Sequence, residues 1–225
     1  MNNMGNGKAN SMKSTKKFAN VYFLWGRGKT TIANILRKRF DVYIYSTDEA
    51  RDRLFLTATP EKQPYMCRDY LSEYGVSSFW ELPGEVIADR EVHFLEEVTP
   101  MMIRELIALS DEHDTVICEG DIDYKQIVKL FDNTVYLQNC GTKFDWFNRY
   151  DHNDLDYIRS RTDIDEAQKQ TLIDQAYAVV SADEGKLPDF VVENHIKVIA
   201  WNDNTTPEET ATEVESYFNL KINPC

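Results

Sequence analysis

VYFLWGRGKTTIANILRKRFDVYIYSTDEARDRLF, residues 21–55, is the stretch whose pattern sets the fold class. Val21-Tyr22-Phe23-Leu24 is a continuous apolar run, the signature of a strand buried on both faces. Gly26-Arg27-Gly28 interrupts it. Ile32, Ile35, Leu36 and Phe40 then recur at helical spacing, and Arg37, Lys38 and Arg39 close the last turn, where cations suit the helix dipole. Val42-Tyr43-Ile44-Tyr45 is a second apolar run. Strand, glycine loop, helix and strand in short succession make a βαβ unit, for which a parallel pair and a right-handed crossover are expected.

Working outward, Thr115–Cys118, Thr134–Leu137 and Ile196–Ala200 read as three further strands. Residues 47–110 read as helical, punctuated by Pro60, Pro64, Pro83 and Pro100. Val86, Ile87, Phe94, Leu95, Val98 and Met102 carry the clearest period there and predict a long helix, kinked or broken at Pro100. Residues 144–183 again read as helical. Thr206-Pro207-Glu208-Glu209 predicts a helix start with Pro at its first position and Glu closing a capping box. The expectation is an α/β fold: about five parallel strands with helices on both faces, in one domain over residues 18–225 that follows a disordered tail over 1–17. A helical cap is expected at about 55–110 and a helical lid at about 144–183. Ligands of such sheets bind beyond the carboxyl ends of the strands. That places Gly26–Thr31, Thr47–Arg53 and Glu119–Asp123 on one rim.

Composition narrows the function classes. Lys+Arg number 25 against 38 Asp+Glu, a formal net charge of −13. Such a field repels nucleic-acid phosphates and anionic lipid and argues against both as partners. No apolar run approaches the ~20 residues that span a bilayer. The four cysteines, Cys67, Cys118, Cys140 and Cys225, show no C-x-x-C spacing, and the polar, basic start lacks an apolar signal-peptide core, so a reducing cytoplasm is the expected compartment.

Gly26-Arg27-Gly28-Lys29-Thr30-Thr31 lies where a phosphate loop would lie. Glycines there let backbone N–H groups approach phosphate oxygens. Lys29 would reach the terminal phosphates, Thr30 would ligate Mg²⁺, and the helix N-terminus would add its positive dipole end. The full pattern G-x-x-x-x-G-K-[ST] fails at its first glycine, because the position five before Gly28 is Phe23. Glu119, at the end of the apolar strand Thr115–Cys118, is placed to hold a Mg²⁺-bound water or polarise a nucleophile. Asp121 and Asp123 read as a charged loop.

Residues 21–55 resemble the opening of the P-loop kinases that act on nucleotides and small metabolites, the adenylate-, shikimate- and gluconate-kinase-like proteins. Against them the loop looks shortened by about two residues, with Trp25 in the place of the anchor glycine. The resemblance implies an ATP- and Mg²⁺-dependent kinase. Its partners would be a nucleoside triphosphate and a small-molecule acceptor. Gly26, Arg27, Gly28, Lys29, Thr30 and Thr31 would bind the nucleotide, with Thr30 and Glu119 at the metal. The catalytic set would be Lys29, Asp48 and Glu119. In the D-x-x-R of Asp48 and Arg51, the acid would anchor the acceptor or take its hydroxyl proton and the guanidinium would hold an anionic group. Arg149, Arg159 and Arg161 fall where such kinases carry lid arginines. Plainer readings stand beside these. Asp48 suits a helix N-terminus behind Thr47 as N-cap, and the lid arginines suit pairing with the many acids around them. The shortened loop also fits a non-catalytic binding protein, or a P-loop hydrolase without an acceptor.

Overall fold

The apolar runs form five strands: β1 (Val21–Gly26), β2 (Tyr43–Ser46), β3 (Val116–Glu119), β4 (Thr134–Asn139) and β5 (Lys197–Trp201). The computed structural model describes residues 19–130, 133–141, 153–181 and 187–221. The strands lie in the order β2-β3-β1-β4-β5, and every pairing is parallel. Such pairs need crossovers, and helices supply them. The chain therefore has the α/β layout expected of it, a five-stranded parallel sheet with helices on both faces. The tail expected over 1–17 lies outside the described residues.

Successive side chains of a strand point to opposite faces, so the sheet has two cores. On one face Leu24, Ile117, Val135, Leu137 and Ile199 pack against α1 (Lys29–Arg39), through Ile32 and Leu36, and against the chain's last helix, Pro207–Phe218, through Val214 and Phe218. On the other face Phe23, Trp25, Tyr45, Val116 and Cys118 meet α2 (Thr47–Phe55), through Ala50 and Leu54. Beyond α3 (Tyr70–Tyr74), α4 (Gly84–Glu112) adds Phe94, Val98, Met102 and Leu106 to the same core. Each large side chain so buried contributes roughly 1.5–3 kcal/mol. The remaining helices are α5 (Tyr124–Ile127), α6 (Asn153–Ser160), α7 (Glu166–Ser181), α8 (Asp189–Glu193) and α9, which is Pro207–Phe218 with the expected capping box formed by Thr206 and Glu209.

Of the local expectations, the long helix stands, α4 running through Pro100 without a break, and two others are corrected. Proline removes the N–H that would bond the carbonyl of Glu96, and that carbonyl accepts instead from the Gln126 side chain at 3.2 Å. Residues 56–69 are turns, not helix. They are fastened to α4 by Glu97, whose two carboxylate oxygens accept the N–H groups of Tyr65 and Met66 at 3.1 and 2.9 Å. The N-cap of α2 is Ser46, not Thr47, and α2 has no side-chain cap. α6 and α7 pack on the short turn Phe79–Glu81, where Trp80 meets Ile158 and Ala176. Among the described residues no helix is long and apolar enough to cross a membrane.

Candidate functional site

The carboxyl ends of the three strands β2, β3 and β1 stand side by side, with Ser46 opposite Glu119 and Leu24 opposite Glu119 across the two pairings.

Gly26 ends β1 at φ +88°, and a β-carbon there would stand 2.1 Å from the Leu137 carbonyl oxygen. No side chain fits between β1 and β4 at this point. The next amide, Arg27 N–H, donates to that same oxygen at 3.0 Å, so it is engaged with the sheet. Gly28, at φ +87°, is the N-cap of α1. A β-carbon added at Gly28 would meet the Trp201 ring at 3.8 Å, and the Trp201 indole N–H donates to the Arg27 carbonyl at 3.1 Å. The short loop is thus braced from β4 beneath and from the end of β5 at its side. Trp25, the residue in the anchor position, is a strand residue only 5% exposed, packed edge-on against Phe190 at 5.2 Å. It belongs to the core and does not stand in the loop.

α1 begins with no side-chain cap and no acid in its first turn. Its first N–H groups have no intrahelical acceptor by helix geometry, and the dipole favours an anion there. Lys29 Nζ lies 3.6 Å from Asp121 Oδ1. The Thr30 hydroxyl donates to Glu119 Oε2 at 2.7 Å. Glu119 is 3% exposed at the end of β3, and beside it burial pushes the Cys118 thiol well up, with the Glu119 charge adding to the effect. Thr31 and Asp48 are exposed, Asp48 in the first turn of α2 next to this rim. Thr47 is fully buried against Gly120, and its hydroxyl has no hydrogen-bond partner.

Lys29, Thr30 and Glu119 therefore meet, with Gly26, Arg27 and Gly28 forming the turn beneath them and Asp48 in the first turn of α2, just past the adjoining strand β2. The other arginines point elsewhere. Arg51 bonds Glu91 at 2.8 Å and lies over the Phe94 ring. Arg159 is exposed and pairs with Asp156 at 3.3 Å. Arg161 is held by Glu81 and by Asp163, the latter at 2.6 Å, and its guanidinium keeps the Asp163 carboxyl down at about 2. Arg149 lies outside the described residues.

Three rim residues escaped the sequence pattern. Asp121, the partner of Lys29, read as a loop acid, although it stands two residues beyond a strand-end acid. Trp201 carries no local signal, because its contact with Arg27 depends on the placement of β5 across the sheet. Thr47 read as a cap, and its burial under Gly120 depends on the pairing of β2 with β3.

The donors fit a hard cation. A hydroxyl and a buried carboxylate are the one or two oxygen ligands Mg²⁺ takes from a protein when phosphates and waters complete its shell. Among the described residues no group of three or more His, Cys, Asp or Glu is arranged to hold a metal by itself. No protein-family model matches the chain, and no curated protein matches it. Among solved structures, a dephospho-CoA kinase from Campylobacter jejuni aligns with a TM-score of 0.40 and 12% identity, over 89% of this chain and 96% of that one. An overlap at that level carries no functional argument, which rests on the rim itself.

Proposed function

We propose that the chain binds a nucleoside triphosphate with Mg²⁺ at the β1–α1 rim and transfers its terminal phosphoryl group to a hydroxyl of a small molecule or nucleotide. One observation carries the reading: the Thr30 hydroxyl bonded at 2.7 Å to the buried Glu119, at the start of a helix with no cap of its own. Mg²⁺, when bound, neutralises charge between the phosphate oxygens. Thr30 and Glu119 hold it. Lys29 exchanges its exposed partner Asp121 for the phosphate chain, and the first-turn amides of α1 bind phosphate oxygens. Asp48 takes the proton of the acceptor hydroxyl as its oxygen bonds to the terminal phosphorus. The bond to the bridging oxygen breaks, and the nucleoside diphosphate leaves.

A second reading, nucleotide binding without turnover, is favoured by the Arg27 amide, which bonds Leu137 and leaves the short loop one donor fewer for phosphate. Phosphorus NMR separates the readings. The protein is incubated with ATP, Mg²⁺ and a panel of hydroxyl-bearing metabolites. A new phosphate-ester resonance rising with ADP supports transfer. Inorganic phosphate alone indicates a hydrolase, and unchanged ATP in a protein that binds it indicates the non-catalytic reading.

A further inference from the structure

Thr47 opens α2 directly after Ser46, whose partner across the β2–β3 pairing is Glu119. Thr47 is fully buried, and its hydroxyl has no hydrogen-bond partner. Buried hydroxyls are as a rule bonded, because an unmade bond leaves the loss of their water uncompensated. This one is aimed at a single neighbour. A β-carbon on Gly120 would lie 1.8 Å from Thr47 Oγ1, nearer than to Thr47 Cβ at 2.9 Å or Cγ2 at 3.3 Å. Space that cannot take a β-carbon cannot take a bridging water, so the partner within reach is the Gly120 backbone.

Gly120 is also the link between the two acids of the rim. Before it, Glu119 accepts the Thr30 hydroxyl at 2.7 Å; after it, Asp121 faces Lys29 at 3.6 Å. Its φ of +126° is open to glycine, and without a side chain its flanking peptides turn at little steric cost.

We infer that Thr47 is a positioning residue of the β1–α1 rim: its hydroxyl has no partner while Asp121 pairs with Lys29, and gains one from the Gly120–Asp121 peptide when phosphate displaces Asp121. This rests on the nucleotide reading above and adds how the rim is coupled to α2. Release of Asp121 from Lys29 lets the peptide between Gly120 and Asp121 turn. Either of its polar atoms satisfies a hydroxyl, which both donates and accepts. The bond so formed ties the Glu119–Asp121 segment to the first turn of α2, where Asp48 follows Thr47. The arrangement with Lys29 on Asp121 carries a cost that the phosphate-bound arrangement does not, and a ligand shifts an equilibrium by just such a difference between two states. Thr47 acts through Gly120 and touches no ligand, as its burial requires.

The full wild-type chain, Thr47→Val and Thr47→Ser are compared by two measurements: urea denaturation without nucleotide, and calorimetric titration of ATP with Mg²⁺. Thr47→Val is expected to be at least as stable as wild type and yet to bind ATP·Mg²⁺ at least fivefold more weakly. Thr47→Ser keeps the hydroxyl and is expected to bind within twofold of wild type. A merely structural role would move stability and affinity in the same direction. Equal ATP·Mg²⁺ affinity in wild type and Thr47→Val overturns the inference and leaves nucleotide binding standing. A Thr47→Val chain that is less stable than wild type, or unfolded, also overturns it, because the hydroxyl is then already bonded. No binding by the folded wild-type chain overturns the nucleotide reading and this inference with it.

Discussion

The two loop glycines share a backbone conformation and differ in their surroundings, which makes alanine substitution at each a quantitative test of the rim. Both have φ near +87°, and an L residue held there costs about 1–2 kcal/mol. At Gly28 that is nearly the whole cost, because the nearest neighbours of a new β-carbon are Trp201 ring atoms from 3.8 Å outward, ordinary contact distance. At Gly26 the new carbon would lie 2.1 Å from the Leu137 oxygen, so β1 and β4 must part. Parting them breaks the Arg27 N–H to Leu137 bond of 3.0 Å and strands a carbonyl beside a fully buried Leu137, a further loss of roughly 1–3 kcal/mol. Gly26→Ala is expected to lose about 4 kcal/mol and Gly28→Ala about 1–2 kcal/mol, a large gap against typical domain stabilities of roughly 5–15 kcal/mol. Urea denaturation of both variants measures it. Equal losses, or a greater loss at Gly28, would refute the packing described for β1, β4 and the loop.

Other expectations follow from single contacts. Thr47→Val keeps the shape of a buried side chain and removes a hydroxyl without a partner, so the folded state should gain about 1 kcal/mol; a loss in the same denaturation assay would show that the hydroxyl is bonded. Asp163 should titrate at about 2 by NMR because of Arg161. Its folded pKa is depressed, so the pair's stabilisation is present above the ordinary value of 3.8 and is lost as pH falls towards 2. Arg161→Gln should return the midpoint towards 3.8, and an unmoved midpoint would contradict the pairing. Trp201→Phe removes the donor to the Arg27 carbonyl and should cost about 1 kcal/mol; no change in the urea midpoint would mean that the brace carries no load.

Strand placement was legible because the central strands β1, β3 and β4 are largely buried and read as apolar runs, while the edge strands β2 and β5 keep apolar runs despite exposed positions. β3, with all four residues buried, is the clearest instance. The continuity of α4 was not legible, because the compensating group for Pro100 is the Gln126 side chain, which the fold alone brings there. Residues 56–69 carry only a weak local signal in Pro60 and Pro64, and their turns depend on Glu97, which holds their backbone from a distant helix. In the site, Lys29 and Thr30 were visible from local pattern, and Glu119 from its position after a buried strand. Arg51 was visible in D-x-x-R, yet its direction is decided by Glu91 and Phe94, which lie on another helix. Contacts across the sheet, such as Trp201 with Arg27, have no local trace.

The central claim is that this short, uncapped turn binds a triphosphate with Mg²⁺. Calorimetric titration of ATP into the protein, with Mg²⁺ and again with EDTA, and into Lys29→Ala, tests it most directly. Saturable binding that weakens at least tenfold without Mg²⁺ and at least tenfold in the variant is the predicted result. A folded wild-type protein that takes up no heat at millimolar ATP, or one whose affinity is the same in Lys29→Ala, would contradict the account.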